Sequence, residues 1–459
     1  MERRILRWGW GPVAALPRVA PLVIVLSACS VGQVYHEPQM ALPDRYARLA
    51  PLPVVPADQN EWWKSFRDPV LDRLIARGLS DSVTVAQAKA RLAEAAALSR
   101  RAGNTVAGNL NLSVQKGSGT SVDESIGALG LSFSPAARAQ SRAAIERLQA
   151  AGYGLQNARL TLLQNLAQAY IDLRFYQASL RQHNSDLASR RRTLRGIETL
   201  LSAGAATKLD KLRSQALIAQ TETQIPQISA RIAQQAARIA TLLGVPAGAL
   251  NIDLRDTGRQ PLPRGQAALG VPADLVRRRP DIRQAERNYA AAVSDVNAAE
   301  AARYPSLSLS GQIVAPFDGA LKSGQSLGAG LVLPLFNQPG LAANVDAAQA
   351  RADQAYQAWR LAVLSGVEQV SSALASVSAS RRAVAMASYS VSLNAQALKL
   401  SRELLDSHGD VTVLDLLDRE RAIADARASL AQTRRAFATD FIALHVALGL
   451  GAGQDAPQK

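Results

Sequence analysis

Three sets of residues in this sequence could carry chemistry, and their spacing limits what that chemistry can be. Leu414, Asp418 and Arg421 stand at i, i+4 and i+7, so a helix through them presents all three on one side. A carboxylate and a guanidinium so placed either make charge-assisted bonds to a neighbouring surface or form an exposed i, i+3 pair, worth roughly a few tenths of a kcal/mol. The four histidines, His36, His183, His408 and His445, lack partners at metal-ligand spacing, and no His-Glu-x-x-His, Gly-x-Ser-x-Gly or phosphate-loop pattern occurs. No catalytic, cofactor or metal site is therefore expected, and the protein is read as something other than an enzyme. The sole cysteine, Cys29, follows Leu26-Ser27-Ala28 at the end of the apolar run Val19–Leu26, itself preceded by Arg3, Arg4, Arg7 and Arg18.

That order reads as a secretory signal over 1–28, and the run ending in Cys29 resembles the bacterial lipobox, in which the thiol is diacylated and becomes the first mature residue. Acyl chains contribute roughly 0.8 kcal/mol per buried CH₂, enough for tethering when several are attached. In the same resemblance, Ser30 rather than Asp after the cysteine implies transfer to the outer membrane. Residues 29–61 hold Pro38, Pro43, Pro51, Pro53 and Pro56 without periodicity and read as an extended, lipidated tether. The 459 residues carry 52 Lys and Arg against 37 Asp and Glu, a formal charge of +15. Four arginines against one glutamate lie in the signal segment, so +12 remains, spread through alternating-sign helical sequence rather than gathered with aromatics. Nucleic acid is not the expected partner.

The elements that must position Leu414, Asp418 and Arg421 come as an internal duplication. Glu198-x-Leu200-x-x-x-Gly204-x-x-Thr207-x-Leu209-Asp210-x-Leu212 recurs 205 residues later as Glu403-x-Leu405-x-x-x-Gly409-x-x-Thr412-x-Leu414-Asp415-x-Leu417. The copies span 62–250 and 272–451, with a linker at 251–271 and a tail at 452–459. Within each copy the apolar residues fall on sevens: Leu166, Leu173, Leu180, Leu187, Leu194 and Leu201, returning through Ile218, Ile225, Ile232 and Ile239. The second copy repeats this with Val370, Val377, Val384, Val391, Leu398 and Leu405, returning through Leu416, Ile423, Leu430, Phe437 and Leu444. A strict heptad specifies left-handed supercoiling against a partner helix, so each copy contains an antiparallel coiled-coil hairpin, at about 137–244 and 341–449. The proline-free stretches of ~65 residues span roughly 100 Å at 1.5 Å per residue, and Pro226 is expected to kink or locally break its helix.

Four short stretches alternate with period two instead: Leu110-x-Leu112-x-Val114, Leu129-x-Leu131-x-Phe133, Leu307-x-Leu309 continuing to Ile313, and Leu327 to Leu333. They read as one β-hairpin per copy, over about 107–134 and 305–334. Four strands with one apolar face cannot bury it alone, and a sheet in lipid must close to leave no unpaired edge. Closure needs further copies, and three would supply ~12 strands and a lumen. The competing reading is a small soluble sheet packed on helices.

Taken together the sequence resembles the TolC-like outer membrane factors, in their OprM- and NodT-like lipoprotein branch, over nearly all of the mature chain. The carriers are Trp62-Trp63-x-x-Phe66-x-Asp68-Pro69-x-Leu71-x-x-Leu74-Ile75, Leu242-Leu243-Gly244-Val245-Pro246, Arg279-Pro280-Asp281-Ile282-x-x-Ala285-Glu286, Tyr304-Pro305-Ser306-Leu307-Ser308-Leu309-Ser310-Gly311, and Gly409 to Arg421. It departs where Leu131-Ser132-Phe133-Ser134-Pro135 replaces the family's frequent Trp-Glu-x-Asp-x-x-Gly run.

The resemblance implies a mainly α protein whose long helical hairpins build a periplasmic α-barrel and whose four strands enter a trimeric 12-stranded β-barrel. It implies an outer-membrane duct that passively carries drugs or other small solutes outward. A periplasmic adaptor and an inner-membrane transporter of the RND type are the implied partners. At matching positions Leu414, Asp418 and Arg421 would constrict the periplasmic end as a gate. Gly204, Thr207, Leu209, Asp210, Gly409, Thr412 and Asp415, at the hairpin ends, are candidate adaptor contacts. The alternative is a coiled-coil adaptor or tethered scaffold without its own pore, although such proteins carry one hairpin beside other domains.

Overall fold

The computed structural model describes residues 34–41, 58–103, 106–115, 124–133, 135–256, 258–264, 279–316, 324–406, 411–451 and 453. The signal segment, Cys29, His408, Gly409 and most of the tail lie outside the described residues. A short 3-10 segment, Asp58–Phe66, precedes helices α1 (Pro69–Asp81) and α2 (Val83–Gly103), strands β1 (Val106–Gln115) and β2 (Glu124–Phe133), and helices α3 (Pro135–Ser202) and α4 (Lys208–Leu242). The order then repeats as α5 (Pro280–Ala301), β3 (Ser306–Pro316), β4 (Gly324–Val332), α6 (Gln338–Asp406) and α7 (Val413–Ala447). The chain divides into two compact units, one comprising residues up to 36, 101–143 and 290–353, the other 37–100, 144–289 and 354–459.

The first unit holds one antiparallel sheet in the order β1-β2-β3-β4, so β1 and β4 are its outer strands. Its register sets Leu110 opposite Leu129, Leu131 opposite Leu309, and Leu307 opposite Leu331. Directly paired residues share a face, so these positions belong to one face while Ser308 and Ser310, paired with Gly330 and Gly328, belong to the other. The glycines make room for these serines, since a Cβ at either would stand 2.8 or 2.9 Å from a serine hydroxyl and force it to rotate away. On the leucine face Leu327 is 95% exposed, and Leu309 and Leu331 are also exposed.

The core of the second unit explains the Trp-Trp-x-x-Phe-x-Asp-Pro run. Asp68 caps α1, its Oδ1 accepting from the Val70 amide at 2.9 Å, and Pro69 opens the helix where no amide donor is needed. The other oxygen accepts from the Tyr170 hydroxyl at 2.6 Å, and Tyr170 in turn accepts from Arg174 Nε at 2.8 Å. Burial beside the Asp68 carboxylate pushes the Tyr170 phenol well above its usual range. Around this chain pack Trp62, Phe66, Leu71, Leu74, Ile75, Leu166, Ile171 and Phe441. Trp62 Nε1 donates to the Leu450 carbonyl at 3.2 Å, tying the start of the folded chain to its end.

The heptad residues line the inside of the helical hairpins: Leu166, Leu173, Ile239, Val370, Leu416, Ile423 and Leu444 are buried, and the remaining seam positions are half-buried. Of the kink or local break expected at Pro226, the break does not occur. Helix α4 runs through it from Lys208 to Leu242, so it does not break the helix. Residues 222–224 and 226–227 are exposed, which lets water bind the Glu222 carbonyl that proline leaves without its helical donor. By length and composition α6 is also apolar enough to cross a membrane, its best window being 28% buried. Its exposed apolar residues Met386, Leu393 and Leu400 recur on sevens, displaced from the Val370–Leu405 seam.

Candidate functional site

The returning helix of each hairpin starts on the same device. In the first, Gly204 adopts φ +74°, a conformation an L side chain resists, and the Ala205 amide closes back on the Leu200 carbonyl at 2.8 Å. Thr207 then caps α4: its hydroxyl accepts from the Asp210 amide at 3.2 Å, while the Asp210 carboxylate accepts from the Thr207 amide at 3.0 Å. Thr412 and Asp415 repeat this reciprocal pair at the start of α7, at 3.2 and 2.9 Å. In both boxes the threonine hydroxyl, and then its backbone amide, hold the aspartate below the usual carboxylate range.

The two tips then differ. Leu209 and Leu414, equivalent in the duplication, are both exposed, but Leu212 is 53% exposed whereas its counterpart Leu417 is 3% exposed. Leu417 and Val413 pack on Ile197 near the end of α3, with Leu200, Ala206 and Leu217 around them. The first turns of α7 are consequently two-faced. Val413, Leu416, Leu417, Glu420 and Ile423 are buried, whereas Leu414, Asp418 and Arg421 are exposed together. Asp418 and Arg421 do not pair with each other, and the side chain of neither makes a hydrogen bond or ion pair with another described residue.

The structure thus brings Leu414, Asp418 and Arg421 onto one face. It places Thr207, Leu209, Asp210, Thr412 and Asp415 at the exposed helix starts; Gly409 lies outside the described residues. Sequence reasoning passed over Glu420. Its Oε1 accepts from Arg402 Nη2 at 2.8 Å, Thr193 Oγ1 at 2.7 Å and Ser189 Oγ at 3.3 Å, and Oε2 is buried without a hydrogen-bond partner. The available signal was positional: 420 lies between seam residues Leu416 and Ile423, where a heptad calls for an apolar residue.

Comparison with known proteins gives this geometry its family. The chain matches the family model described as outer membrane efflux protein over residues 127–245 and 271–450. It is 33% identical to nodulation protein T of Rhizobium leguminosarum bv. trifolii, covering 93% of this chain and 96% of that protein. It is 29% identical to the pyoverdine export outer membrane protein OpmQ of Pseudomonas aeruginosa, over 94% of this chain and 96% of that one. Among solved structures, the outer-membrane channel OprN superposes with a TM-score of 0.85 at 27% identity, covering 92% of this chain and all of that one. Long helical hairpins joined to a few strands are the helical-barrel and β-barrel parts of such channels, and the chain belongs to the outer membrane efflux protein family, as an outer-membrane channel of an efflux system.

Proposed function

We propose that the protein is the passive exit duct of a tripartite efflux system, assembled as a homotrimer whose twelve strands close one outer-membrane barrel. Channels of this family form trimers and work with periplasmic adaptors and inner-membrane pumps. The observation that carries the reading is the four-stranded sheet: its outer strands β1 and β4 have no further neighbour among the described residues, and its leucine face includes Leu327 at 95% exposure. Lipid covers such a face only if the edges are closed, and copies of the same sheet close them. The uncovered Leu212 supports the same assembly, since its counterpart Leu417 is buried against the other hairpin of its own chain. Leu212 is covered when the next copy's second hairpin sits beside it.

In this reading the two repeats, 62–250 and 272–451, each contribute one hairpin and two strands, and Cys29 carries lipid that anchors the amino-terminal tether to the outer membrane. The exposed starts of α4 and α7, with Thr207, Leu209, Asp210, Thr412 and Asp415, meet the adaptor, and an RND-type pump delivers small solutes to the duct. Leu414, Asp418 and Arg421 form the periplasmic gate. Three copies of Leu414 narrow the aperture by packing, and Asp418 and Arg421, lacking side-chain partners among the described residues of their own chain, bond across subunits. A ring of three Asp418 carboxylates favours cations. The test is single-channel recording in planar bilayers. Replacing Asp418 and Arg421 together by Ala raises conductance with the trimer intact; unchanged conductance in an intact trimer overturns the gate assignment.

A further inference from the structure

Beyond the gate residues α7 carries a second polar arrangement, which the duplication does not explain. Helix α7 lies against α3, and the middle of that seam is polar. Arg435 Nε donates to Asp172 Oδ1 at 2.6 Å, Arg427 stands 3.6 Å from Asp186, and Glu420 meets Thr193 and Ser189. Both ends of it are apolar, the tip with Ile197 against Val413 and Leu417, and the far end where Ala438, Phe441 and Ile442 join the core around Leu166 and Tyr170. The partners inside each hairpin are joined by leucine, isoleucine and valine on sevens, so the two kinds of seam are built from different materials.

That difference decides which seam can move. Separating an apolar seam exposes its whole area to water, with nothing gained in return. A buried ion pair separates on other terms, because water replaces the bonds that are lost and the desolvation of both charges is relieved. Glu420 is poised between those limits. Its Oε1 collects donors from three places, Arg402 on α6 and Thr193 and Ser189 on α3, while Arg402 Nη2 also donates to Ser189 Oγ at 2.9 Å. Its Oε2, buried and without a partner, gains hydrogen bonds only when the seam opens. Such a contact holds one geometry firmly yet releases without a large net penalty, which is what a two-state element requires.

We infer that Glu420, clasped by Arg402, Thr193 and Ser189, is the latch that holds the second hairpin against the first and thereby keeps the periplasmic end shut. The inference rests on the gate reading above. Glu420 is two residues from Asp418 and one from Arg421 on a continuous helix, so α7 cannot turn the gate face outward without withdrawing the Glu420 carboxylate from α3. Glu420 does not touch cargo. It is a positioning residue that acts through Asp418 and Arg421.

Single-channel recording on the full-length trimer tests this with Glu420→Gln, Thr193→Val and the charge exchange Glu420→Arg with Arg402→Glu. Loss of a charge-assisted buried bond shifts an open-to-closed ratio by about tenfold or more, so Glu420→Gln raises open probability by about that factor and Thr193→Val by less. The charge exchange restores part of the closure that Glu420→Arg alone abolishes. If the Asp418 and Arg421 double replacement opens the channel while Glu420→Gln and Thr193→Val trimers record as the parent does, the latch is refuted and the gate stands. If none of these changes alters conductance in intact trimers, gate and latch fall together. A lower trimer yield with unchanged open probability would make Glu420 purely structural and likewise overturn the inference.

Discussion

Acidification tests the packing that joins the two ends of the folded chain. His445 lies in the core, its ring centroid 4.0 Å from that of Phe441 and 5.8 Å from that of Trp62. Nδ1 is 2.8 Å from the Phe441 carbonyl, which can only accept, so Nδ1 carries the proton and Nε2 is bare. Burial disfavours the imidazolium and pushes the group down to about 4, the Phe441 carbonyl opposing this in part. An unfolded histidine titrates near ~6.5, so folding depresses this group by roughly 2.5 units. The unfolded chain therefore binds more protons between those values. The contribution of neutral His445 is complete above pH ~6.5, falls as pH falls, and is exhausted near pH ~4. At 1.36 kcal/mol per unit the loss is about 3 kcal/mol, with about half of it gone by roughly pH 5. Urea unfolding of the detergent-solubilised protein, followed by circular dichroism from pH 7.5 to 4, measures it against His445→Leu. Carboxylates titrate equally in both proteins, so the difference between them isolates the histidine. A variant whose stability falls with pH as steeply as the parent's would refute the argument.

Two further perturbations address the sheet and the tips. Leu327→Arg places a charge on the leucine face, at a cost of roughly 2–4 kcal/mol if that face meets the bilayer midplane, whereas Ser326→Arg, one residue earlier, points the other way. Trimer recovered from outer membranes falls for the first and not the second; equal recovery would favour a soluble sheet. Thr412→Ala removes the α7 cap and speeds amide exchange over 413–416 while leaving 430–447 unchanged. Because Asp415 is held below its ordinary value, acid has the same effect on the parent only as the pH drops below ~3.8.

How much of this was legible in the sequence depends on the range of the interaction. The hairpins were legible because a heptad is a local rule: Leu166 and Leu173, or Leu416 and Ile423, declare a seam by spacing alone, and the structure buries all four. Strands were legible for the same reason, Leu307-x-Leu309 and Leu129-x-Leu131-x-Phe133 lying within β3 and β2. The placement of Leu414, Asp418 and Arg421 on one face also follows from helical geometry. Whether Pro226 would break its helix was not legible, because its penalty depends on whether the freed carbonyl meets water, which spacing cannot tell. The Asp68–Tyr170 bond joins residues 102 apart, and no local pattern in either segment announces it.

Glu420 shows the limit most sharply. At a seam position a charged residue reads as an error or as a site, and only its partners decide between these. They are Arg402, 18 residues back, and Thr193 and Ser189, 227 and 231 residues away. The duplication sharpens the contrast, since the equivalent position in the first repeat is Gln215, which is exposed. Two hairpins of common descent thus carry the same threonine cap and the same seams, yet they differ where they meet: the first brings Asp172 and Asp186 to the contact, and the second brings Arg427, Arg435 and the buried carboxylate of Glu420. Copies that close a cylinder need matching lengths, and the repeated seams supply them. A cylinder that also opens at one end needs a stretch of seam weaker than the rest, and α7 against α3 from Glu420 to Arg435, with carboxylates and guanidiniums where its own hairpin uses leucine, has that character.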